Sequence, residues 1–329
     1  MEPLRIGFIG AGSFATWTLY PALHLAPITL QAVCDIDESL ARSVAGKFGA
    51  GRWYTDYHQM WANEDLEALI ICMGPRPRQP LVQEALEAGY HVFIPKPPAP
   101  SLADTIALAE TAQRTGKTLM VDFQRRFAFG VSRARTLMAD PAFGRLTQVS
   151  CSFCSGKYVE ARRVGYDGPL HAYLLDFATH HLDLARYLAG EVRQLALFHN
   201  SAGGADAFAV ALEFVNGAVG TLQLNSQRIW WRNYDRIELT GQGAFIVVDS
   251  LWTVRYYTEG QNTFTENYSD ERSSELSGDG YALIEFVEAI RGKREPIASI
   301  HDCVKTMKLY QAIYDATLTG QNGVIALKE

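Results

Sequence analysis

The chain has 329 residues, 48% of them hydrophobic and 20% charged, with a formal net charge of −6. That length exceeds what one compact core usually serves, so two domains are expected from an otherwise ordinary globular composition. An acidic balance with no basic block argues against nucleic acid or a membrane surface as partner, and no apolar run is long enough to span a bilayer.

The N-terminal MEPLRIGFIGAG lacks the basic region and long apolar core of a secretory signal. Five cysteines (Cys34, Cys72, Cys151, Cys154 and Cys303) are odd in number and scattered. They read as reduced thiols of a cytoplasmic protein. CSFC has metal-like spacing but no second cysteine pair, and it lies in an alternating run, so no metal site is expected.

RIGFIG is a short apolar strand that ends in glycine, GAGSFA follows it, and FATWTLYPALHLA has helical spacing. TLQAVCD returns to strand character and closes on Asp35, about the length of one βαβ unit. Gly10 permits the tight turn, and Gly12 lets the backbone approach a pyrophosphate at the helix N-terminus. Ser13 and Phe14, at the start of that helix, are further candidate cofactor contacts. Ala15 keeps helix and strand close, and Asp35 can bind ribose hydroxyls. An acid there favours NAD; Arg42 is the nearest basic residue and leaves NADP open.

Alternation continues through LARSVAGKFG, DYHQMWANEDLEALII, QPLVQEALEAG, HVFI, SLADTIALAETAQRTG and TLMVDFQ. Alternating β and α elements predict a parallel, doubly wound sheet, with a dinucleotide-binding domain over residues 1–122 and a second domain over 123–329. HVFI runs into PKPPAP, which puts Lys96 at the carboxyl end of a strand, the edge where such sheets bind ligands. The Lys96–Pro97 bond is a candidate for the cis form. From this stretch alone, a ligand-facing lysine and a solvated one are equally good readings.

After residue 145 the pattern changes to alternating strands such as LTQVSCSF, VRQLALFH, FAVALEFV and AVGTLQLNSQ. LLDFATHHLDL interrupts them. At 100° per residue Asp176, His180 and Asp183 share one narrow helical stripe, and His181 points well away from it. A buried stripe of this kind must be satisfied or used, so a core pair and a catalytic pair are both open. Helical patterns return after residue 279.

GAGSFA with VCDID, HVFIPKPPAPS, VDFQRRF, LLDFATHHLDLARYLAG and the C-terminal IEFVEAIRGKREPIASIHDCVKTMKLYQ occur in an order and spacing that resemble the Gfo/Idh/MocA oxidoreductases. The resemblance covers essentially the whole chain. It implies a Rossmann domain followed by an α/β domain built on a large, mostly antiparallel sheet, which often forms the interface of a homodimer or homotetramer. It also implies an NAD(P)-dependent transfer of hydride from or to a secondary alcohol or ketone of a sugar, cyclitol or related polyol. Lys96, Asp176 and His180 match the family's catalytic positions. His180 would be the general base, Asp176 its orienting partner or a substrate contact, and Lys96 the group that polarises the substrate oxygen and also touches the cofactor. Asp183 is read as structural, as a cap or as a partner of Arg186.

Three departures stand out. Pro95 replaces the glutamate usual before the lysine, MGPRPR (73–78) replaces a TPNxxH segment and puts Arg78 where the histidine would be, and Ala178 replaces a glycine. Arg78 or Arg76 would then meet the pyrophosphate. Two alternatives stay open: a redox-neutral hydrolase or epimerase with tightly bound NAD, and a non-catalytic sensor of the same fold. Candidate substrate contacts beyond the catalytic residues are Arg126, Tyr158 and Trp230.

Overall fold

The computed structural model describes residues 2–154, 166–200, 206–226, 234–258, 263–267, 277–321 and 323–327. Tyr158 and Trp230, with Lys157, Arg162, Arg163 and Trp231, lie outside the described residues. Two compact units divide the chain, Met1–Gln124 with Gly278–Val304, and Arg125–Ser277 with Lys305–Glu329. The single division expected between 122 and 123 therefore becomes a chain that returns to its first unit near the C-terminus. The reason is packing: helix α9 (Asp279–Arg291) is apolar along one face and lies against strand β6 (Leu119–Asp122) and the helix that follows the glycine turn. A Cβ at Gly280 would stand 2.3 Å from Leu25 Cδ1, so the helix approaches Leu25 closely there and a larger residue would require that side chain to shift.

In the first unit, β1 (Leu4–Ile9), β2 (Ile28–Cys34), β3 (Arg52–Tyr54), β4 (Ala68–Ile71), β5 (His91–Pro95) and β6 form a six-stranded sheet of order β3-β2-β1-β4-β5-β6, paired in parallel throughout. The doubly wound parallel sheet expected from the alternation is present, and its order is that of a dinucleotide-binding fold. β4 is buried at every position, as a central parallel strand covered on both faces must be. Helix α2 (Glu38–Phe48) starts where the Asp37 side chain accepts from Ser39 N and Leu40 N, and it stops at Gly49 in the left-handed region. Helix α4 (Pro75–Glu87) begins earlier than the spacing of QPLVQEALEAG suggests. Pro75 occupies its first turn, where a missing N–H costs nothing, so the PRPR segment is helix rather than loop.

In the second unit nine strands form one sheet: β7 (Leu146–Cys154), β8 (Val192–Asn200), β9 (Ala207–Phe214), β10 (Val219–Asn225), β11 (Tyr234–Gly241), β12 (Ala244–Asp249), β13 (Thr253–Thr258), β14 (Phe264–Asn267) and β15 (Gly323–Ala326). Their order is β14-β13-β12-β11-β7-β10-β9-β8-β15, antiparallel except where β7 and β10 run parallel. Helix α6 (Phe129–Met138) packs on β12 and β13, and helix α8 (Thr179–Ala189) on β7 and β10. Along β8, Leu195 and Leu197 are buried while Phe198, on the other face, is 72% exposed. Among the described residues no helix is long and apolar enough to cross a membrane.

Candidate active site

The glycine turn is built by its neighbours in the sheet. Gly10 has φ +105°, and a Cβ there would stand 2.1 Å from the carbonyl oxygen of Cys72. Gly10 N donates to Cys34 O at 2.8 Å, and Tyr20 Oη donates to Gly10 O at 3.3 Å from a ring stacked on Phe8. At Gly12, by contrast, no heavy atom lies within 4 Å of where a Cβ would be. That is the open approach a pyrophosphate requires at the start of a helix. Ser13 and Phe14 follow in the first turn and are exposed, ahead of a π-helical turn at Ala15–Leu19.

Asp35 follows β2 and accepts from Ala11 N at 2.7 Å through one oxygen and from Asp37 N at 2.9 Å through the other. The carboxylate is therefore held against the glycine turn. Each oxygen retains a lone pair, so the group can still accept from ribose hydroxyls. Open backbone at Gly12, a fixed acid at Asp35 and a helix N-terminus between them fit a dinucleotide.

Lys96 follows the last residue of β5, is half-buried, and joins Pro97 through a cis peptide bond. Arg78 is 1% exposed, and its guanidinium donates to Met73 O at 3.0 Å and to Pro97 O. Arg78, expected at the pyrophosphate, is held by these two backbone carbonyls. It ties the start of α4 to the loop that carries Lys96, because a buried guanidinium needs carbonyl partners.

Asp176 and His180 lie on one helix that runs through α7 (Pro169–Ala172), a π-helical turn (Tyr173–Ala178) and α8. The wider turn contains Asp176, so the 100° spacing assumed from the sequence holds only from residue 179 onward. π turns inside α-helices recur at functional sites. Asp176 and His180 are 4% and 6% exposed.

Asp183 is structural, with a partner other than Arg186. Arg126 Nε donates to Asp183 Oδ2 at 2.7 Å, Arg126 also donates to Oδ1, and Thr306 Oγ1 donates to Oδ1 at 3.0 Å. Arg126, expected at the substrate, is 2% exposed and engaged with this aspartate, over the ring of Tyr187. Arg186 pairs with Glu191 at 2.9 Å and donates to Thr306 Oγ1 at 2.7 Å.

The sequence reading missed a second buried network. His181 Nε2 lies 2.8 Å from Asp235 Oδ1, Arg125 donates to the same oxygen, and the Phe153 ring stacks on His181 at 4.4 Å. Burial holds His181 below the usual histidine range although Asp235 opposes it. Burial raises Asp235, but Arg125 and His181 outweigh it and hold the carboxyl below its usual range. The signal available in the sequence was Arg125 beside Arg126 and the acid that opens DRIELTG; only the fold pairs them.

Residues 4–123 match the family model described as oxidoreductase family, NAD-binding Rossmann fold, and residues 131–247 match that of the GFO/IDH/MocA C-terminal domain. The chain belongs to the Gfo/Idh/MocA oxidoreductase family. Its first unit is accordingly an NAD-binding Rossmann domain. Among the Gfo/Idh/MocA relatives, myo-inositol 2-dehydrogenase of Thermotoga maritima is 25% identical over 319 residues, covering 91% of this chain and 92% of that one. D-glucoside 3-dehydrogenase of Escherichia coli is 29% identical over 197 residues, 57% of this chain and 55% of that one. Of solved structures, a dehydrogenase from Chromobacterium violaceum shares the fold with a TM-score of 0.90, at 22% identity and 97% coverage of both chains. Levoglucosan dehydrogenase in complex with NADH and levoglucosan superposes with a TM-score of 0.86 at 18% identity, covering both chains fully.

Proposed function

We propose that the protein is an NAD-dependent dehydrogenase or reductase that interconverts a secondary alcohol and a ketone on a sugar, cyclitol or related polyol. The observation that carries this reading is the glycine turn: open backbone at Gly12, a rigid turn at Gly10 and Asp35 tethered to Ala11. The relatives named as inositol and glucoside dehydrogenases support the substrate class. NAD, when bound, supplies the hydride chemistry.

The chain's own residues do the rest. His180 takes the alcohol proton as general base, for which an imidazole suits neutral pH. Asp176, on the same helix, orients that imidazole or accepts from a substrate hydroxyl. Lys96 presents an ammonium that stabilises the alkoxide as it develops.

The test has two steps. Titrating the protein with NADH and NADPH by tryptophan fluorescence should show tighter binding of NADH. Incubation with NAD and a panel of polyols should then yield NADH, and His180→Ala and Lys96→Met should each remove most turnover while leaving NADH affinity within a few-fold. Cofactor that co-purifies, resists exchange and gives no net NADH would establish redox-neutral chemistry instead.

We also propose a homodimer or homotetramer built on the face of the large sheet that carries Phe198. In register across that face run Phe198, Ala209, Gln223 and Ser152, with Ala196 and Ala211 in the next row. Uncharged and mostly small side chains around one exposed phenylalanine make a surface that a second copy can cover.

A further inference from the structure

Lys96 leaves β5 directly after Pro95, and Pro95 is paired in register with Asp122 on β6. A carboxyl group therefore stands at the carboxyl edge of the sheet one strand over from the position where this chain has none. Asp122 is 1% exposed, and so is Asp279, in the first turn of α9. α9 packs on β6, Asp122 Oδ1 is buried without a hydrogen-bond partner, and Asp279 lies close enough to share a proton with Asp122. An ionised carboxylate can only accept, so a carboxyl–carboxyl hydrogen bond holds a proton. Two like charges this deep would be prohibitive; one shared proton leaves a single negative charge, and a helix N-terminus favours it.

Lys96 acts on Asp122 from the β5 loop, and Cys72 follows β4. Burial pushes the Cys72 thiol up to about 12, Arg78 opposes this, and Asp122 adds to it. Asp122 itself is raised well above the usual carboxyl range by burial first, then by Asp279, while Lys96 pulls it back.

We propose that Asp122 and Asp279 form a positioning pair for Lys96, a proton-sharing counter-ion set at the carboxyl edge of the sheet by β6 and α9. The pair holds the ammonium in place and in charge balance, and it does not touch the reacting atoms. Its consequence for turnover rests on the function proposed above, but its existence does not.

Infrared spectroscopy of the full-length protein, titrated from mildly acid to alkaline pH in H2O and D2O, tests this without substrate or NAD. At neutral pH the native protein should show a deuterium-sensitive band of a protonated carboxyl that Asp122→Asn removes. Asp279→Asn should move the midpoint of that band to lower pH, and Lys96→Met should move it to higher pH, each by about one unit, as loss of one nearby charge predicts. A band missing from the native protein, a band that survives Asp122→Asn, or a midpoint indifferent to Lys96→Met would each overturn the proposal. A merely structural acid pair would give that last result. Should Asp122→Asn not fold, the opposite shifts of the other two variants decide the matter. Failure of the dehydrogenase reading would leave these spectra unchanged, so the two failures are distinguishable.

Discussion

Arg126 and Asp183 form a buried two-point ion pair, with side chains 2% and 1% exposed and Nε 2.7 Å from Oδ2. A third bond from Thr306 completes the aspartate's shell. This pair joins the segment just after the nucleotide-binding domain to the helix that carries His180. Its value is conditional, because two charges have left water and each depends on the other.

Removing one member should therefore destabilise strongly. Arg126→Ala or Asp183→Ala is expected to cost about 3–5 kcal/mol, because an uncompensated charge stays buried. Urea denaturation measures this directly. The double variant Arg126→Met with Asp183→Leu should recover most of the loss; two losses that simply add would show that the pair is not an isolated unit.

Acid should destabilise the protein in two stages. His181 is held below the ordinary histidine value of 6.5 by burial, and His91 is pushed down to about 4 by burial and by Lys117. His91 Nδ1 accepts from Thr118 N at 3.0 Å, a bond that protonation abolishes. A depressed histidine means that the unfolded chain takes up protons first, so stability is intact above pH 6.5 and falls as pH drops from there toward 4. Asp235 is held below its ordinary 3.8, so its contribution persists above that value and is lost only in stronger acid. Melting temperature measured against pH should fall in this order, and His91→Gln should flatten the first stage.

The two glycines of the turn should fail differently. Gly10→Ala meets the Cys72 carbonyl and a positive φ, so the folded state itself should suffer, by several kcal/mol. Gly12→Ala meets nothing, so the melting temperature should stay within about 2 °C, while NADH affinity falls about ten-fold or more as the pyrophosphate loses its approach. Calorimetry and fluorescence titration on the two variants separate these outcomes. Equal loss of stability would overturn the assignment of Gly12 to the cofactor.

Phe198→Glu should dissociate the proposed homo-oligomer. The side chain is 72% exposed on a face of small residues, and a carboxylate there would be desolvated on association. Sedimentation velocity should show a smaller species with an unchanged melting profile for the folded subunit. A variant that sediments like the native protein would place the interface elsewhere.

Much was legible in the sequence alone, because local patterns carry it. Strand, glycine turn, helix, strand and acid identify the nucleotide turn through spacing. Burial on both faces makes β4 a continuous apolar run, and alternation in β8 and β9 announces a half-covered sheet. Gly10 could be assigned its turn because one residue type meets that backbone need. Charged side chains were another matter. Arg78, Arg126 and Asp183 are long or polar groups whose role depends on what lies within 3 Å, and their partners are distant in sequence. Only the folded chain shows that Arg78 closes on the Lys96 loop, that Arg126 reaches Asp183 and that Arg125 reaches Asp235. A π-helical turn likewise leaves no mark in an apolar period, so a uniform 100° spacing does not describe the stripe at Asp176. Periodicity records which face a residue shows to the core; it does not record which charge waits there, and that tertiary pairing decided which polar residues hold the fold and which remain for chemistry.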